Sequence, residues 1–182
     1  MSSQPNKERT STLAELLKDK PKRGRPLRPV SRQNVYVALF DEEKKEMQRL
    51  ALLLPSALSR ADLPDLAIAV LTARLESLHR AVADRNREIP EGITDLESLY
   101  LLWDLTVPTN HSERKWTSIR VSPQEMIELG RAHGTFNAAF GANRSETFSL
   151  ALILLTLFLE TQDLHQDATL AEVRKAILAN YL

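Results

Sequence analysis

From Asn34 to Phe40 the chain alternates, with Val35, Val37 and Leu39 set against Asn34, Tyr36 and Ala38. A period of two marks a half-buried strand. At Asp41 the pattern changes to an acidic first turn followed by Met47, Leu50, Ala51 and Leu54 at helical spacing, which predicts a helix as far as Pro55. A second helix, with Leu66, Val70, Leu71 and Leu78 along its apolar side, is predicted to run to about Ala83. Pro64 disfavours a start at Ser59 and suits the first turn of a helix capped by Asp62.

The same order of strand, helix and helix recurs about 82 residues later. Ile119 and Val121 lie on one face of a short strand and Trp116, Ser118 and Arg120 on the other. Ser122 is the N-cap of the helix that follows, with Pro123 at its first position and Glu125 completing a capping box. "HGTFNAAFGA" is predicted to be a loop, after which Asn143 and the capping pattern "NRSE" open a long apolar helix to about Glu160. "SRADLPDLAI" matches "NRSETFSLAL" position by position at an offset of 84, an internal repeat. Between the copies a connecting helix is expected, capped by Thr94, ended near Pro108 and packed through Leu96, Leu99, Tyr100, Leu102 and Trp103. A last amphipathic helix, about Ala168 to Tyr181, presents Leu170, Val173, Ile177 and Leu178. The expected divisions are residues 1–32, 33–84, 85–113, 114–162 and 163–182.

The 182 residues carry no formal net charge, yet residues 1–33 hold nine Lys/Arg against three Asp/Glu. That segment is about +6 and the other 149 residues about −6. With 43% apolar residues a packed core is expected. The absence of cysteine excludes disulfides and thiolate metal sites and makes a cytoplasmic protein the simplest expectation. A polar N-terminus argues against a secretory leader, and the apolar run from Phe148 is too short to cross a bilayer; it reads as a helix buried on all sides. His79, His111, His133 and His165 are dispersed, and no phosphate loop, serine elbow or helix-borne zinc pattern occurs, so neither an enzyme nor a bound cofactor is expected.

A strand with alternating polar residues, a capped helix and a second helix opening on "NRSE" resembles the ribbon-helix-helix family of DNA-binding proteins. The resemblance covers about residues 34–80 and 115–160. It implies a mainly α fold in which two units, related by a pseudo-two-fold axis, pair their strands into an antiparallel ribbon that enters the major groove. Pairing within one chain and pairing between two chains of a homodimer are both compatible with it. The implied base-reading residues are Trp116, Ser118 and above all Arg120, whose guanidinium can bond a guanine edge bidentately. Asn34 and Tyr36 are their counterparts in the first copy, where a slip of one residue would instead turn Val35, Val37 and Leu39 outward. Trp116 has a competing expectation, packing under a neighbouring loop. The family also anchors a phosphate at the start of its second helix, which here falls on Asn143, Arg144 and Ser145, with Ser59, Arg60 and Ala61 in the first copy; Arg60 reads better as an ordinary first-turn residue.

Ahead of the first strand, "RGRP" at Arg23–Pro26 resembles the AT-hook, a minor-groove motif of AT-rich DNA. Gly24 lets the backbone approach the groove floor while Arg23 and Arg25 extend along it, and Pro26 keeps the chain extended. Lys22, Arg28 and Arg32 are expected to meet phosphates. Upstream, "STLAELLKD" allows a turn or two of helix capped by Ser11 or Thr12, stopped by Pro21. The expected function is a sequence-specific regulator, most simply a repressor, bound to double-stranded DNA with an AT-rich flank in the nucleoid. The alternatives are a protein-interaction module of the same fold, such as an antitoxin or a partition adaptor holding a protein partner, and a DNA-architectural protein bound mainly through its arm.

Overall fold

Two strands more than seventy residues apart in sequence lie side by side. The computed structural model describes residues 31–82, 89–109 and 113–182, and within them β1 (Gln33–Leu39) pairs antiparallel with β2 (Lys115–Val121). Tyr36 faces Ser118, Asn34 faces Arg120 and Ala38 faces Trp116. Val35, Val37, Leu39, Ile119 and Val121 are buried beneath the ribbon, so the alternation read from the sequence falls in the register expected, and the slipped register is excluded. The pairing is made within one chain.

The described residues are mainly helical. After β1 come α1 (Asp41–Leu53), a 3-10 turn (Arg60–Asp62) and α2 (Leu63–Ala81); after the short α3 (Leu96–Leu102) and β2 come α4 (Pro123–Phe140), α5 (Arg144–Thr161) and α6 (Leu170–Tyr181). The two helices richest in buried residues, α2 and α5, pack against each other at the centre. Contacts then cross: β1 and α1 rest on α5, while β2 and α4 rest on α2. Neither strand-helix-helix stretch closes a core by itself. Burial across the crossing, at roughly 25 cal/mol per Å² of apolar surface, is what holds the ribbon on its helical base. No single helix among the described residues is long and apolar enough to cross a membrane. Even α5 is not covered all round, since Leu157 stays 40% exposed.

Polar ties repeat the crossing at matching positions. Arg49 bridges Glu46 and Glu160, each at 2.7 Å; Arg131 lies 3.9 Å from both Glu128 and Glu76. The first trio maps onto the second by shifts of 82 for the α1 residues and 84 for α2 to α5. Ser59 closes a capping box with Asp62 on the 3-10 turn; Asp62 stands at the N-cap position of α2, with Pro64 in the first turn, but its side chain makes no capping bond to that helix.

Four local expectations need correction. "HGTFNAAFGA" is helical as far as Phe140, because Ala132 and Phe136 are buried one turn apart and the Phe136 ring stacks on Phe140 at 6.0 Å. That burial outweighs the helix penalty of Gly134, of about 1 kcal/mol, and the helix ends at Gly141, whose φ of +69° suits glycine. Glu125 does not complete a capping box. Its backbone N–H donates to Ser122 Oγ, but its carboxylate turns inward to Arg174 of α6. The connecting helix is capped by Asp95 rather than Thr94, through the N–H of Ser98 at 2.7 Å, and it ends at Leu102, well short of Pro108. Leu102, expected to pack, is 46% exposed, and Leu178, on the apolar side of the last helix, is 51% exposed.

Candidate nucleic-acid interface

The outward face of the ribbon is where the sequence placed its chemistry. Because side chains alternate along a strand, burying the valines and leucines forces Asn34, Tyr36, Trp116, Ser118 and Arg120 onto the other side, and all five are exposed. Trp116 is 75% exposed and Tyr36 65%. The packing expected for Trp116 is therefore corrected: among the described residues no loop covers it. Among the described residues Arg120 makes no ion pair, and the same is true of Arg60 and Arg144.

The second helices hold the ribbon's edges. The N–H of Ala38 donates to Ser145 Oγ at 2.8 Å, and Arg114 donates to the Ala38 carbonyl at 3.2 Å while its guanidinium lies 4.4 Å from the Phe40 ring centre. At the far end Ser122 N–H donates to Asp65 Oδ1 at 2.9 Å. These bonds satisfy edge groups that a bare two-stranded ribbon leaves open.

Several predicted site residues take other roles. Ser145 is buried and serves as that acceptor, so it is withdrawn from the phosphate site. Asn143 is exposed, but its side-chain oxygen accepts from the N–H groups of Ser145 and Glu146, at 2.9 and 3.0 Å, leaving those donors unavailable to a phosphate. Arg144 remains, exposed at the first position of α5 and flanking a groove with Asn34, Tyr36 and Met126. Arg32 is the clearest correction. Its side chain is 8% exposed and its guanidinium pairs with Asp62 and, at 3.2 Å, with Asp65, so its charge is spent inside the protein and not on a phosphate. Burial pushes the Asp62 carboxyl up, but hydrogen bonds from Ser59 and Arg32 outweigh it and hold the group below the usual carboxylate range. Lys22, Arg23, Gly24, Arg25, Pro26 and Arg28 lie outside the described residues.

Two residues escaped the sequence reading. Lys44 and Gln48, one turn apart on α1, line a groove with Arg60, Ser118 and Arg120 along the edge of β2. Their i, i+4 spacing was visible, but nothing local shows that α1 runs beside the partner strand. The opposite edge is poorer in polar groups, with Met126 and Gly130 at the positions that Lys44 and Gln48 occupy here. At the Trp116 end, Lys115 is tied to Asp41 at 2.6 Å. That hydrogen bond lowers the Asp41 carboxyl and raises the Lys115 amine from their ordinary values, so both stay charged as an exposed pair. No family model, curated protein or solved structure matches the chain.

Proposed function

We propose that the protein is a sequence-specific DNA-binding regulator, acting at the nucleoid, in which two ribbon-helix-helix units of one chain pair with each other about a pseudo-two-fold axis. One observation carries the reading: a two-stranded ribbon, uncovered by the described residues, whose outward side chains include Arg120, Asn34 and Ser118, flanked by Arg60 on the turn before α2 and Arg144 at the start of α5, neither of which makes an ion pair among the described residues. A ribbon of this width fits the major groove, and its outward side chains are of the types that read base edges. Arg60 and Arg144 are suited to phosphates on either side. The basic segment before β1 supplies the non-specific, salt-dependent part, with the "RGRP" run in an AT-rich minor groove.

The test is fluorescence anisotropy of the full chain on duplexes enriched from a random pool, followed across salt concentration. Engagement of about six phosphates gives a log–log salt slope near about −5. Arg120→Ala is expected to lose site preference, whereas Arg23→Ala with Arg25→Ala weakens binding and blunts the preference for AT-rich flanks. Equal affinity for the enriched site and for random DNA defeats the reading.

A second reading has its own support in the net charge of about −6 outside residues 1–33, a poor general surface for DNA. On that reading the same fold grips a protein partner, as an antitoxin or partition adaptor does. A stoichiometric protein that stays bound after nuclease treatment would favour it. A DNA-architectural role predicts instead that removing residues 1–32 abolishes binding.

A further inference from the structure

We infer that the ribbon reads a non-palindromic DNA site in one fixed orientation, with a guanine and an adenine under one end and thymine methyl groups under the other. This deepens, and rests on, the DNA-binding reading above. Tyr36 faces Ser118, and 118 is 36 shifted by the repeat distance of 82, so the strand register and the repeat share one centre. Each end of the outward face is therefore built from one residue of each copy. Identical copies would make the two ends identical, and a symmetric ribbon would read a palindrome.

These two ends are chemically opposite. One end holds Asn34 directly across from Arg120 and the other holds Ala38 directly across from Trp116. Asparagine suits the N6/N7 edge of adenine and arginine the O6/N7 edge of guanine, both bidentately. Facing partners on adjacent strands stand about 4.5–5.5 Å apart, which puts the two reading groups together at one end of the ribbon. Ala38 and Trp116 offer no comparable pair; their match in the major groove is the thymine methyl. Four residues of strand separate the ends, about 13 Å, the span of about four base pairs.

The flanks lean the same way. Beyond the Trp116 end, α1 begins with Asp41 and Glu42, where α4 begins with Pro123 and Gln124 beyond the Arg120 end. Asp41 is paired with Lys115, so the two flanks differ in chemical type, acidic at one end and Pro/Gln at the other, more than in net charge.

The test selects duplexes with the full-length protein and then measures affinities. The enriched site is expected to be non-palindromic. Arg120→Ala should relax preference at the guanine end alone, by roughly tenfold. Replacing thymine by uracil at the other end should weaken the wild type roughly fourfold per methyl removed and weaken Trp116→Ala by less, through the Ala38 contact alone. Both residues are exposed, so these variants keep the fold. An enriched palindrome, or uracil duplexes bound as tightly as thymine ones, overturns the inference and leaves the DNA-binding reading standing. No enrichment over random DNA defeats both.

Discussion

Arg32→Met separates a structural arginine from a DNA-binding one. The methionine keeps most of the apolar stem and removes the charge that faces Asp62 and Asp65. Asp62 remains satisfied, because Ser59 donates to it from both its backbone N–H and its hydroxyl at 2.7 Å. Asp65 does not. It is 1% exposed and among the described residues would keep only the N–H of Ser122, at 2.9 Å, leaving a carboxylate without its counter-charge. Removing one partner of a buried pair typically costs about 3–5 kcal/mol. The retained Ser122 bond lowers that figure, and so does the loss of Arg32 Nη1, a buried donor with no partner. A net destabilisation of about 3 kcal/mol follows, near the low end of the range.

With a urea m-value of about 2 kcal/mol/M, the unfolding midpoint should fall by about 1.5 M. The thermal midpoint should fall by roughly 6–12 °C for a chain of this size. Adding Asp65→Asn removes the orphaned charge, so the double variant should be more stable than Arg32→Met alone, a coupling read from a double-mutant cycle. DNA affinity, measured where both proteins are folded, should be unchanged. A urea shift under about 0.5 M together with a clear loss of DNA affinity would refute the reasoning and return Arg32 to the phosphate contacts.

Trp116→Ala should leave stability within about 0.5 kcal/mol by urea unfolding, since the ring is uncovered; a loss of about 3 kcal/mol or more would mean the ring packs after all. Ser145→Ala should cost about 1–2 kcal/mol in the same assay, because the Ala38 N–H loses its acceptor; an unchanged midpoint would show that the bond contributes nothing. Burial pushes the Glu125 carboxyl up to about 7, outweighing the Arg174 guanidinium beside it, with Asp65 and Glu128 adding to the rise. Since the folded state then holds this proton more tightly than the unfolded chain, the stabilisation is complete below about pH 4.5 and is lost as pH climbs through about 7. Thermal midpoints of Glu125→Gln across that window should fall less with pH than those of the wild type, and parallel curves would show that Glu125 does not titrate there.

What could be read from the sequence follows the range of the forces involved. The inward and outward faces of both strands and the Asn143 capping box are written in residues a few places apart, where alternation and caps operate, and the repeat shows by direct comparison of two stretches about 82–84 residues apart. The fate of Arg32 was not, because the carboxylates that hold it are about thirty residues away and a cation beside prolines looks the same whether it meets a phosphate or an aspartate. Glu125 misled for a similar reason. Its place three residues after Ser122 is that of a capping box, and only α6, which brings Arg174 alongside, turns it inward. The stretch His133–Phe140 looked like a loop from its glycine, since the burial of Phe136 that keeps it helical depends on packing far along the chain.

The positions at which the two copies agree and differ sort by what surrounds them. In the body the copies match in chemistry: Glu46, Arg49 and Glu160 answer Glu128, Arg131 and Glu76, and Ser59 answers Asn143 as a helix cap. Even Arg32 and Arg114, each just before a strand, reach equivalent places on the second helices, Asp65 and Ser149. On the ribbon face the match is lost, with Asn34 against Trp116, Tyr36 against Ser118, Ala38 against Arg120 and, beside it, Lys44 against Met126. Contacts between elements of the body constrain the first set, weakly where the ion pairs are exposed; among the described residues the outward ribbon side chains have no comparable ties to the body. A homodimer would carry every change on that face twice, at symmetry-related points. Two units in one chain carry it once, so the ends of the ribbon are free to differ while the base beneath them stays matched.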